Sequence, residues 1–224
     1  TAFGRLDGDP LSDIMLTVED DAVVIDTNSV AYGVYEVSGV SPVLYKISEI
    51  DTLARPSCGP LSHDPPVSLL DAPTSGVLNN SKAADDGLVI DVLFLYTQAV
   101  TARYGSEAQV EARIQSSVDG SNRYLVNSQI DTQFRAVGLL ETNYVETETG
   151  EIELNRLTNP TDGFIDDAHQ LRNDFGADLV CLIIEWSGNN FAGFGWVLPN
   201  LSTFNQNLGF SVVRGDNIFA SIVG

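Results

Sequence analysis

The sequence predicts an α+β chain: an antiparallel β-meander first, then an α/β unit built on a twisted, mostly parallel sheet with an antiparallel edge strand. Three observations predict it. Short alternating apolar runs separated by polar turns fill residues 1–54. A proline-rich stretch with little periodicity occupies 55–87. From residue 88 onward, near-continuous apolar runs alternate with helix signals. Alternation with close turns is the mark of antiparallel strands, whereas strands interleaved with helices imply a parallel sheet covered on both faces.

The first strands read as Asp13–Val18 (DIMLTV), Ala22–Ile25 (AVVI), Ala31–Val37 (AYGVYEV) and Val43–Ile47 (VLYKI). Turns fall at Glu19-Asp20-Asp21, at Asp26-Thr27-Asn28-Ser29 and across 38–42, and no helix-period stretch of useful length interrupts them. Prolines 56, 60, 65, 66 and 73 then mark a linker, or an extended segment lying on another surface.

Leu88–Tyr96 (LVIDVLFLY) is short and almost wholly apolar, as expected of a strand buried on both faces. Ser106 is an N-cap residue, Glu107 suits the helix dipole, and Val110, Ile114, Val118 and Leu125 share a helical stripe, which predicts a helix over 106–128. Thr132–Leu140 reads as the next strand. Thr161 or Asp162 is expected to cap a shorter helix ending near Phe175, with Gly176 as its stop. Ala177–Ile184 (ADLVCLII) is a third buried strand. A glycine-rich stretch over 188–197, a strand at Leu208–Val213 and a last helix at Ile218–Val223 follow.

The chain has 31 acidic and 11 basic residues, a formal charge of −20. Such a surface repels phosphates, which excludes nucleic acid and anionic membranes as partners. No apolar run reaches the roughly 18 residues of a membrane span. Abundant Asp suits a secreted, salty or calcium-rich setting, and plain solubility equally. The order of the chain shows no dinucleotide-binding glycine motif, no P-loop, no nucleophile elbow and no H-x-x-x-H or C-x-x-C ligand pair. His169 reads as a surface residue of a polar helix, His63 as a solvated linker residue and Cys181 as core packing. The acidic pairs Asp85-Asp86, Asp166-Asp167 and Glu146/Glu148 read as solvated runs or helix starts. Asn79-Asn80-Ser81 and Asn200-Leu201-Ser202 fit a glycosylation acceptor, which matters only in a secretory pathway that glycosylates.

An ordered set of phrases says more. Val89–Thr97 (VIDVLFLYT), the long helix after it, Ile130–Val137 (IDTQFRAV), Gly176–Ile184 (GADLVCLII), Gly193–Val197 (GFGWV) and Phe210–Val213 (FSVV) resemble the N-terminal half of a metzincin zinc endopeptidase of the adamalysin/reprolysin-like type. The resemblance covers 88–224. It implies a metzincin-like upper subdomain whose antiparallel edge strand borders the active-site cleft. Gly193, Phe194, Gly195, Trp196 and Val197 are the candidate edge strand, on which a peptide would pair as an added strand.

The family's zinc motif H-E-x-x-H is absent, as is its methionine-containing turn, since the only Met is Met15. Two alignments of the chain end stay open. One reads Ala220–Gly224 as the turn just before that motif, the other reads Phe219–Gly224 as a relic with Ser221 and Ile222 in place of His and Glu. Neither leaves a catalytic residue or a metal ligand in this sequence. Residues 1–54 are then similar to a propeptide. Cys58, within Arg55-Pro56-Ser57-Cys58-Gly59-Pro60, resembles the family's regulatory cysteine switch, in which a thiolate displaces the catalytic water from zinc. The function so implied is a secreted zinc-dependent endopeptidase in zymogen form, represented by a fragment that lacks its zinc-binding helix. The cofactor implied is zinc, with calcium left open. The implied partners are a peptide or protein substrate, or other copies of the chain. The alternatives are a non-catalytic extracellular structural or assembly protein keeping that fold, and a small acidic binding module.

Overall fold

The computed structural model describes residues 1–9, 12–29, 33–40, 44–49, 59–60, 89–147, 149–186, 191–197 and 207–218. The chain is α+β, with two sheets. The first is a five-stranded antiparallel meander in chain order: β1 (Ala2–Gly4), β2 (Asp13–Glu19), β3 (Ala22–Ser29), β4 (Gly33–Val40) and β5 (Leu44–Glu49). The second is six-stranded. It contains β6 (Gly59–Pro60), β7 (Val89–Thr97), β8 (Gln133–Thr142), β9 (Leu179–Ile184), β10 (Gly193–Gly195) and β11 (Phe210–Arg214), in the spatial order β6-β10-β11-β9-β7-β8. β7 runs parallel to β8 and β9, β9 runs parallel to β11, and β10 pairs antiparallel with β11.

β7 is the centre of this sheet because its side chains leave no face for water. Val92, Leu93, Phe94, Leu95 and Tyr96 are each at most 1% exposed. Successive residues of a strand point to opposite faces, so one apolar run feeds two cores. Leu93 and Leu95 join Val180, Leu182, Ile184, Phe210 and Val212 on one face. That face is covered by Leu154 and Leu157 of α3 (Gly150–Thr158) and Ala168 of α4 (Ala168–Phe175). Val92, Phe94 and Tyr96 join Cys181 and Ile183 on the other face, covered by Val100 of α1 (Gln98–Tyr104) and by Val110, Ile114 and Val118 of α2 (Glu107–Asn127).

Ser106 caps α2 as expected, its Oγ accepting from the Gln109 amide, and Gly176 ends α4 in the left-handed conformation at φ 65°. Several expectations are corrected. The helix anticipated from 161 begins only at Ala168, because 161–167 form turns in which the Asp166 carboxylate accepts from the Gly163 amide. Two helices, α1 and α3, were not anticipated. α1 starts directly from the end of β7 and α3 buries only two leucines, so neither displays a stripe long enough to read. The start of the expected last helix is instead a 3₁₀ turn, Gly215–Asn217, and 219–223 lie outside the described residues.

The meander lies against α2. Ala22 and Val24 of β3 pack on Ala112, small residues that let sheet and helix approach closely. Among the described residues no helix is long and apolar enough to cross a membrane.

Because Leu182 is fully buried between α3 and the sheet, Leu182→Ala should lower stability by about 3 kcal/mol, from lost transfer energy and the cavity left. Val126→Ala, on an exposed part of α2, should change it by less than about 0.5 kcal/mol. Urea unfolding midpoints read both.

Candidate functional site

The glycine-rich candidate strand is ordered by what lies on either side of it. On its inner side, Gly193, Phe194 and Gly195 pair with Val213, Val212 and Ser211 of β11. The approach is close: a Cβ on Gly193 would sit 2.8 Å from the Val212 carbonyl oxygen, so only glycine fits without moving backbone. Phe194 points into the core, with ring centroids 6.1 Å from Trp186 and 5.4 Å from Phe191. Gly150, at the start of α3, leaves the space that the Phe194 ring fills.

The outer side of β10 is not an open edge. Phe194 and Gly195 pair there, in parallel, with Gly59 and Pro60. There the chain's own proline-rich segment takes the position at which an added strand would pair. Trp196 and Val197 continue past the strand. The Trp196 indole N–H donates to Thr158 Oγ1 at 2.8 Å, and Thr158 Oγ1 donates to the Leu154 carbonyl at 2.7 Å. The last turn of α3 thus holds the exit of the candidate strand, while Val197 is exposed.

The loop between β8 and α3 is tied down by two carboxylates. Glu146 Oε1 accepts from Thr97 Oγ1 at 2.9 Å and from the Glu185 amide at 3.0 Å, bridging the ends of β7 and β9. Glu153, fully buried, accepts from the Thr147 amide at 2.7 Å, from the Thr147 hydroxyl and from Tyr144 Oη. Burial and the bond to Glu153 push the Tyr144 phenol well above its usual range. Glu146 is therefore a structural clamp rather than part of a solvated run. Nothing in its spacing signals this, because its partners come from strands far away in sequence.

The end of β11 is held as firmly. Arg103 makes a two-pronged ion pair with Glu185 at 2.6 and 2.9 Å, and Arg214 reaches Asp216 at 2.5 Å. Tyr104 Oη donates to the Gly215 carbonyl at 2.6 Å.

His169 is not the surface residue expected. Its Nε2 lies 2.9 Å from the Thr158 carbonyl and its ring stacks on Phe210 at 4.6 Å, and burial lowers its pKa. Cys181 is buried as expected, and desolvation pushes its thiol up to about 12 against a weaker opposing bond from Ser211. Cys58, His63 and the two glycosylation triplets lie outside the described residues. Among the described residues, no group of three His, Cys, Asp or Glu is placed to hold a metal ion. With His169 engaged by backbone and ring, they do not fit a zinc site.

Against this geometry the comparisons are specific. The profile of the metallo-peptidase family M12B, reprolysin-like, matches residues 87–218, from just before β7 to just past β11. The chain belongs to that family, a metzincin-like group of metallopeptidases. It is 35% identical over 95 residues to a peptidyl-Asp metalloendopeptidase of Stenotrophomonas maltophilia strain R551-3, covering 42% of this chain and 22% of that one. To the protein of the same name from Xanthomonas campestris pv. campestris it is 28% identical over 183 residues, covering 79% of this chain and 42% of that one. The chain thus spans less than half the length of these relatives. Among solved structures, metalloproteinase-II from Bacteroides fragilis aligns over 94% of this chain and 64% of its own, with a TM-score of 0.45 and 11% identity.

Two outcomes follow from this geometry. Gly193→Ala should break the β10–β11 pairing or force it apart, at about 1–3 kcal/mol, seen as lost amide protection over 193–195. Iodoacetamide at pH 8 should leave Cys181 unmodified in the folded protein and label it only after denaturation, as peptide mass mapping will read.

Proposed function

We propose that this chain is the propeptide and upper catalytic subdomain of a secreted, zinc-dependent endopeptidase in zymogen form. In this reading the zinc ligands and general base belong to the part of the relatives' length that the chain does not span. The family match supports the peptidase class. The relatives' name, peptidyl-Asp metalloendopeptidase, supports a protein substrate cut beside aspartate. No step of hydrolysis is assigned to residues of this chain.

The observation that carries the zymogen reading is the pairing of Gly59–Pro60 with Phe194–Gly195. A substrate backbone docks on such a strand by main-chain hydrogen bonds, so a chain segment already lying there competes for the same groups. Cys58 is joined to Gly59 by one peptide bond. A thiolate there is a sound zinc ligand and would exclude the water that attacks the peptide. Residues 193–197 are, in this reading, the wall on which substrate replaces the strap.

The test uses the gene's whole product, carrying whatever follows residue 224. It should cleave aspartate-containing peptides after processing, and a zinc chelator should abolish the cleavage. Cys58→Ser should raise the activity of the unprocessed form at least tenfold. A whole product without chelator-sensitive cleavage would replace this reading with the non-catalytic one. Unchanged activity in Cys58→Ser would remove the switch and leave the peptidase.

A further inference from the structure

The face that the N-terminal meander turns toward α2 is unusually polar. Its core contact is small, Ala22 and Val24 on Ala112, and beside it Asp26 and Glu36 meet Ser116 and Arg113. Asp26 and Glu36 stand directly opposite one another on β3 and β4. Like charges so placed repel. Both face α2, where Arg113 Nη2 contacts Glu36 at 2.5 Å and Ser116 Oγ donates to Asp26. Arg113 is almost completely buried, its Nη1 donating to the Gln109 carbonyl at 3.2 Å and to Gln109 Oε1 at 3.0 Å. Its guanidinium also lies 4.1 Å from the centre of the Tyr104 ring of α1. On β2 the partner of Asp26 is apolar, Met15. Of the other charges on that strand and helix, Asp13 pairs with Arg123, Asp119 accepts from Gln115, and Glu111, with Glu107 and Glu19 near it, accepts from Tyr96.

The charge count is therefore simple. One buried guanidinium contacts Glu36, with Asp26 directly opposite Glu36, and the three groups are neutral together only when one of the carboxyls holds a proton. An uncompensated charge at such a site is costly, and the group responds by staying protonated.

We propose that docking of the N-terminal sheet onto α2 takes up a proton, so that the sheet is a latch that closes in mildly acidic solution and loosens toward neutrality. This goes beyond the zymogen reading and does not depend on it, since it concerns the contact between sheet and helix and not catalysis.

The sign follows from linkage. Desolvation is the largest influence on Asp26 and raises it from 3.8 to about 6, the Glu36 charge adding to the rise, while Ser116 and Arg113 oppose it. A group raised in the docked state stabilises docking fully below its free value, near pH 4, and loses that contribution as the pH climbs through about 6. Between pH 4 and pH 7 the docking constant should fall about fiftyfold.

Hydrogen exchange on the whole chain tests this, with rates corrected for the intrinsic pH dependence. The expected result is that protection over 13–40 falls about twenty-five-fold from pH 4.5 to 7.5, while protection of the β7 peptide 89–97 holds. Asp26→Asn should flatten the dependence. Glu36→Gln should shrink it, because the Glu36 charge adds to the rise at Asp26 while burial remains, and it decides the matter if Asp26→Asn does not fold. A wild-type chain with no fall over 13–40, or a fall that persists unchanged in Glu36→Gln, overturns the proposal.

Discussion

Burial of β7 on both faces is the constraint from which the rest of the structure follows. A strand whose side chains are apolar on both sides cannot lie at a surface, so both faces need a covering layer. The chain meets that need with α1 and α2 on one side and α3 and α4 on the other, and parallel neighbours β8 and β9 complete the backbone pairing. The candidate strand depends on this indirectly. Phe194 is seated among Trp186, Leu154 and Leu157, so β10 is held by the same core that covers Leu93 and Leu95. Gly193, just before Phe194, allows the backbone to come close. Without the filled core behind it this stretch would be an unanchored loop.

Much of this was legible in the sequence because burial on two faces leaves a one-dimensional trace. The runs at 88–96 and 177–184 read as internal strands, and Ser106 with the stripe from Val110 marked the long helix. α1 and α3 left no such trace. Each buries only one or two large apolar side chains, so tertiary packing rather than local periodicity decides it. The strap was readable only as a proline-rich segment with a cysteine. That Gly59–Pro60 would pair with Phe194–Gly195 rests on contacts more than 130 residues apart, which no local pattern encodes. The same is true of Glu146, whose partners Thr97 and Glu185 lie far along the chain. A carboxylate that caps distant backbone looks in sequence like any solvated acid.

The acidic composition also gains a division of labour. A formal charge of −20 suggests a uniformly repelling surface. The few arginines are not spread over it. Arg103, Arg113, Arg123, Arg135, Arg156 and Arg214 each face a carboxylate, mostly one from a different element. Most such pairs at a surface add little stability individually. Their value here is register. Arg103 to Glu185 and Arg214 to Asp216 fix the ends of β9 and β11, and Arg123 to Asp13 sets which residue of the meander meets which turn of α2.

Finally, the first sixty residues grip the rest of the chain at two separate places: the meander on α2, and Gly59–Pro60 on β10. These grips are covalently joined, so each holds the other at a high effective concentration, and their affinities multiply rather than add. A single backbone cut between residues 60 and 89 would leave two polypeptides that stay together by avidity. Release would need both grips to open at once, or a second cut between them. Scission and dissociation are thus separate events in this architecture, and the interval between them is set by the two grips together.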